Sequence, residues 1–157
     1  MGLIIGSKIK QLIKGYPTVS DKYDVEGGIN AGPDALEFGA PIYYTGTSGY
    51  YTGTYAAGKF AGICLATNVK LVQPYGAGSS ATAKTEKGEA FNVCVRGFVA
   101  VEVKGTETEL KTPGTLVKVG TDGFEVTTVA ADAIAKLTGI CEDYADGKGL
   151  AEIRFNI

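Results

Sequence analysis

Histidine, the side chain best suited to proton transfer and metal ligation near neutral pH, does not occur in these 157 residues. Its absence removes the commonest general base and a leading metal ligand. No Ser–His or Cys–His nucleophile can be assembled within one chain. Ser79 and Ser80 stand near Lys84, but in a Gly/Ser-rich stretch with no scaffold for an oxyanion hole. Glu102, Glu107, Glu109, Asp143 and Asp146 each sit beside a turn or alternate with apolar residues, the pattern of solvated acids. Glycoside hydrolysis would need two acids flanking a cleft. The run Asp143-Tyr144-Ala145-Asp146-Gly147 lacks the ligand spacing of a calcium loop and reads as a hairpin turn. The nearest approach to a phosphate loop, Gly76-Ala77-Gly78-Ser79-Ser80, has no lysine at the required place. Cys64, Cys94 and Cys141 are embedded among apolar residues, with no Cys-x-x-Cys pair, and read as small buried hydrophobes. The sequence therefore predicts no catalytic residue, no metal site and no cofactor.

The tyrosines carry more promise. Tyr43, Tyr44, Tyr50, Tyr51 and Tyr55 fall within 13 positions. Consecutive residues of a strand point to opposite faces, so each Tyr-Tyr pair places one ring outward. Three uses are open: core and cross-strand packing, a protein interface, and a platform for a sugar ring.

These residues need elements to position them, and composition bounds what those are. With 45% hydrophobic residues the chain can bury a core, and 23 glycines spread between short apolar runs suit many tight turns. A net charge of −2 and a pI near 5.2 give no basic footprint for nucleic acid. No apolar run approaches the roughly 20 residues of a spanning helix. The opening Met1-Gly2-Leu3-Ile4-Ile5 is too short for a signal-peptide core, and Gly6 stands where a myristoylation motif needs Ser or Thr. A soluble protein made in the cytoplasm, with no membrane or nucleic-acid partner, is expected.

Residues 1–31 read as an N-terminal arm laid across its own domain or a neighbour, or else as a frayed terminus. Ser7 could cap a short helix with Ile9, Leu12 and Ile13 on one face, stopped by Gly15-Tyr16-Pro17. Residues 32–157 read as a β domain. Runs at 41–45, 49–53, 90–104, 115–119, 123–129 and 152–157 alternate apolar and polar residues or are rich in β formers, and Asp122-Gly123 is a strong hairpin signal. Residues 130–137 read as the one short helix, and 75–88 as a surface loop. An internal echo links Gly39-Ala-Pro-Ile to Gly114-Thr-Leu-Val, and Gly62-Ile63-Cys64 to Gly139-Ile140-Cys141. The predicted fold is mainly β: a small antiparallel barrel or sandwich of two similar units, at about 33–104 and 108–157.

In this order, Gly15-Tyr16-Pro17 with Ser20, Phe38-Gly39-Ala40-Pro41-Ile42, Phe60-Ala61-Gly62-Ile63 and Pro113-Gly114-Thr115-Leu116-Val117 resemble the structural cement (head decoration) proteins of bacteriophages. Thr18 stands where the family's arm often has a second glycine. The resemblance covers the chain from about residue 15 to its end. It implies a β-barrel-like virion protein without catalysis that binds the outside of an assembled head between capsomers. Its implied partners are the major capsid protein and further copies of itself, with a trimer preferred over a dimer. Contact residues expected on this reading are Ile9, Leu12, Ile13, Tyr16, Tyr23, Tyr50 and Tyr51. The alternative is a virion or cell-surface recognition module that binds glycan or protein through a Tyr-rich face.

Overall fold

The computed structural model describes residues 12–18, 23–66 and 84–156. Within them lie β1 (Tyr23–Asn30), β2 (Leu36–Glu37), β3 (Pro41–Tyr44), β4 (Tyr50–Thr52), β5 (Phe60–Cys64), β6 (Lys84–Thr85), β7 (Ala90–Lys104), β8 (Leu116–Gly120), β9 (Gly123–Thr127), β10 (Ala135–Ala145) and β11 (Lys148–Asn156). One short helix, α1 (Glu107–Leu110), follows β7.

The long strand β7 organises the rest. Its second half pairs antiparallel with β11 and, at Val103 and Lys104, parallel with β9. Through β10 and β8 these strands close a five-stranded ring, β7-β11-β10-β8-β9. The first half of β7 repeats the plan: it pairs with β5 and β1, and β3 and β4 complete the ring β7-β5-β3-β4-β1. Each ring contains a hairpin, one parallel contact and three further antiparallel contacts in the same order. Closure leaves few strand edges open.

The two interiors correspond residue by residue. Ile42, Tyr51, Cys64, Phe91 and Val93 fill the first, while Val117, Phe124, Leu137, Ala151 and Ile153 take the matching places in the second. Fully burying a Val, Leu, Ile or Phe side chain contributes roughly 1.5–3 kcal/mol, so these clusters hold the fold while all three cysteines remain free thiols. The echo read from sequence is present in strand order but displaced in register. Cys64 pairs with Val93 as Leu137 pairs with Ile153, so Cys64 matches Leu137 instead of Cys141. Residues 138–140 form an irregularity between Leu137 and Cys141, with Gly139 at φ 94° against Pro113.

Residues 12–18 lie along β7 in the gap between β1 and β9. The Gly15 N–H donates to the Ala100 carbonyl (2.8 Å), Ala100 N–H to Tyr16 (3.1 Å) and Thr18 N–H to Phe98 (2.9 Å). β1, which falls within the expected arm, continues this antiparallel track to Ala90.

Residues 130–137 are not a helix. A 3-10 turn covers Ala130–Asp132, and β10 starts at Ala135. Ala135 and Leu137 alternate inward against Phe155 and Ile153, so sheet pairing overrides the helix propensity of four alanines. The helix that does form is α1, fixed by a capping box in which Thr106 and Glu109 bond each other's backbone N–H. Most of the helix expected near Ile9 and most of the 75–88 loop lie outside the described residues. Of that loop, Lys84–Thr85 pairs with β2 as β6.

Candidate contact surfaces and the cleft between the rings

The expected contact residues that the structure describes are not all at the surface. Ile9 lies outside the described residues. Leu12 is buried, Ile13 is exposed and Tyr16 is half-buried. Tyr23 and Tyr50 are exposed, whereas Tyr51 belongs to the first core, edge-to-face with Phe91 (6.0 Å). Tyr51 therefore has no free ring face to offer a partner.

A surface that sequence periodicity did not reveal runs along β1. Residues 23–27 are exposed on both faces, including Tyr23 and Val25. Their inner edge pairs with β7; among the described residues the outer edge meets no strand until Ile29 and Asn30 pair with β4. Asp24 holds Arg96 in an ion pair, and Glu26 accepts a long hydrogen bond from the Tyr51 hydroxyl (3.5 Å). Asn30 anchors the end of this strand. Its side-chain amide donates to Asp34 and Thr85 carbonyls, and its oxygen accepts from Gly32 N–H.

Between the two rings lies a cleft of about 670 Å3, lined by Tyr43, Tyr55, Ala56, Ala57, Gly58, Phe60, Lys118, Val119, Asp132, Ala133, Ile134 and Asn156. Its walls come from equivalent places: the β4–β5 loop of the first ring and the β9–β10 loop of the second. Tyr43 packs edge-to-face on Tyr55 (5.6 Å) and Phe60 (6.4 Å), and Phe60 on Phe124 (6.2 Å). Burial, with the Tyr55 phenol nearby, pushes the Tyr43 hydroxyl up to about 12. Lys118 is held by Glu125 at 3.2 Å. Nothing in the sequence marked Asp132 or Asn156, because the β9–β10 loop and the end of β11 that carry them meet only in the folded chain.

The remaining titratable groups do structural work. Burial pushes the Cys94 thiol up to about 12 and raises that of Cys141, the opposite of what a nucleophile needs. Glu37 is raised by burial, but the ammonium groups of Lys14 (3.3 Å) and Lys84 (3.5 Å) outweigh it and lower its carboxyl overall. Glu37 thereby ties the arm to β6. Among the described residues no three His, Cys, Asp or Glu side chains are placed to hold a metal, and no helix is long and apolar enough to cross a membrane.

A family profile described as "Structural cement protein (E217 gp24/Pam3 gp6)" matches residues 5–156. The chain belongs to the phage structural cement family. As a member it is a structural protein of the phage particle, a kind of protein that is not an enzyme class. Among solved structures the fold is similar to a chain described as "The capsid of Myoviridae Phage XM1", with a TM-score of 0.57 and 15% identity, covering 96% of this chain and 93% of that one. At that identity the likeness speaks to fold alone. No curated protein matches the chain. The β-barrel-like fold expected from the resemblance is the one found: mainly β, with a five-stranded barrel, further strands and, among the described residues, one short helix at Glu107–Leu110.

Proposed function

We propose that this cement-family protein binds the outer surface of an assembled phage head between capsomers, with the major capsid protein as its partner, and stabilises the shell. The observation that carries the reading is the family match across nearly the whole chain, joined to closed rings of strands in which, among the described residues, the outer edge of β1 at 23–27 meets no strand. An open edge offers main-chain donors and acceptors to a partner strand, and exposed Tyr23 and Val25, two positions apart on β1, supply apolar contact on one face of that ladder. Ile13, Tyr16 and Tyr50 are further contact residues on this reading, and Ile9 and Leu12 act through the arm.

Homo-oligomers, trimers by preference, would match the symmetry axes of a shell. Each added contact within such an oligomer raises effective concentration, so modest single contacts suffice. Synthesis in the host cytoplasm precedes attachment. The test is co-sedimentation with purified shells that lack the protein. Wild type should pellet with the shells, and Val25→Lys, which replaces an exposed apolar side chain and leaves the β1–β7 pairing in place, should pellet at least tenfold less while its melting temperature stays within a few degrees. Equal binding by Val25→Lys would remove β1 as the attachment edge; no pelleting by wild type would remove the reading itself.

A further inference from the structure

The cleft between the rings has features that shell attachment does not use. Tyr43 is only 2% exposed and lines the cleft, and among the described residues its hydroxyl makes no hydrogen bond. Buried polar groups are ordinarily hydrogen-bonded, and one left open to a cleft is available to a ligand. Tyr55, 40% exposed, brings a second phenol beside it. Across the cleft stand Asp132 and Asn156, an acceptor and a group that both donates and accepts. Lys118 is occupied by Glu125, so the cleft offers no uncommitted cation to an anionic ligand.

We propose that this cleft binds a neutral saccharide, one or two hexose rings long. A sugar ring has apolar C–H faces that lie against aromatic rings and a rim of hydroxyls that both donate and accept. The exposed Tyr55 ring, with Phe60 beside it, meets the first requirement. The Tyr43 and Tyr55 hydroxyls, with Asp132 and Asn156, meet the second. The volume lies within the roughly 300–1,000 Å3 of small-molecule sites. A purely apolar occupant would leave the Tyr43 hydroxyl unpaired, which is why a hydroxyl-rich ligand is favoured over an aliphatic peptide segment. This site is separate from the exposed Tyr44 and Tyr50 surface, and it stands or falls independently of shell binding.

The experiment is an amide-resolved NMR titration of the full chain with D-glucose, D-galactose, N-acetylglucosamine and lactose, with glycerol and tetra-alanine in parallel. At least one sugar should shift the amides of residues 55–60 and 132–134 with a millimolar midpoint. Tyr43→Phe keeps the ring and removes only the hydroxyl; it should weaken that binding about fivefold, the effect of one hydrogen bond. Asp132→Asn, a surface change, should weaken it as well without altering the melting temperature. Absence of shifts with all four sugars overturns the proposal. So do shifts indifferent to both substitutions, or shifts produced equally by glycerol or by tetra-alanine.

Discussion

Tyr51 and Phe124 occupy the same place in two successive rings of strands. Tyr51 lies opposite Tyr44 in its hairpin and beside Asn30 on the parallel strand; Phe124 lies opposite Val119 and beside Val103. Each plugs the point where a hairpin's second strand closes a ring against the strand it meets in parallel. Truncating either should open a cavity that the closed ring cannot collapse around. Tyr51→Ala and Phe124→Ala should each cost about 3–5 kcal/mol in denaturant unfolding. Tyr51→Phe should be nearly neutral, because its hydroxyl contact with Glu26 is long. A loss below 1 kcal/mol for either alanine variant would show that ring closure does not depend on these plugs.

Gly15 and Gly39 let the arm reach β7. Gly15 has φ 78°, and a Cβ there would stand 2.6 Å from the Gly39 nitrogen. A left-handed conformation costs a non-glycine residue about 1–2 kcal/mol, and the clash adds to it. Gly15→Ala should therefore loosen the arm while leaving both cores intact. Hydrogen exchange should quicken about tenfold or more at the Ala66 and Ala100 amides, which bond to Gly15 and Tyr16, while β11 stays protected. Unchanged exchange at both amides would contradict this role.

Alkali should weaken the fold through Cys94 and Tyr43. Both acids have folded values raised to about 12, from ordinary values of 9.0 and 10.0, chiefly by burial. Between those limits the unfolded chain has lost protons that the folded one keeps, so stability is full below about pH 9 and falls as pH rises toward 12. Melting temperature should be flat from pH 7 to about 8.5 and decline above it. Cys94→Ala should melt lower at neutral pH yet show a shallower alkaline decline. A decline as steep as that of wild type would clear Cys94 of the effect.

The capping box of α1 makes a smaller claim. Thr106→Ala removes the hydroxyl that accepts from Glu109 N–H and should cost about 1 kcal/mol in chemical unfolding. Glu109, whose carboxylate accepts from the Thr106 N–H (2.8 Å) and hydroxyl (2.7 Å), is held below its ordinary value. Its contribution is present above about pH 4.5 and is lost as pH falls below it. An unchanged midpoint in Thr106→Ala would mean that α1 is held by Leu110 in the core and not by its cap.

Much of this architecture was legible in the sequence, for particular reasons. Alternation in 90–104 marked β7, Asp122-Gly123 marked the β8–β9 hairpin, and the turn at Asp146-Gly147 joined β10 to β11. The duplication was visible in glycine spacing, but its register was not, because the irregularity at 138–140 shifts β10 past the repeated tripeptide. Residues 130–137 misled because alanine favours helix locally while the inward positions of Ala135 and Leu137 follow from pairing with a strand read only later in the chain. The contact surface was legible only in part. Periodicity places one ring of the Tyr50–Tyr51 pair outward but not which, and the packing that buries Tyr51 against Phe91 follows from the three-dimensional ring. The cleft drew on loops some 75 residues apart, and no local pattern announces such a meeting.

The account rests on contact with a shell, and the heat-disruption temperature of purified phage heads lacking this protein tests it most directly. Adding the protein in increasing amounts should raise that temperature by several degrees and level off once a fixed number of copies per shell is bound. Heads that break at the same temperature at every concentration, or a rise that never saturates, would contradict it.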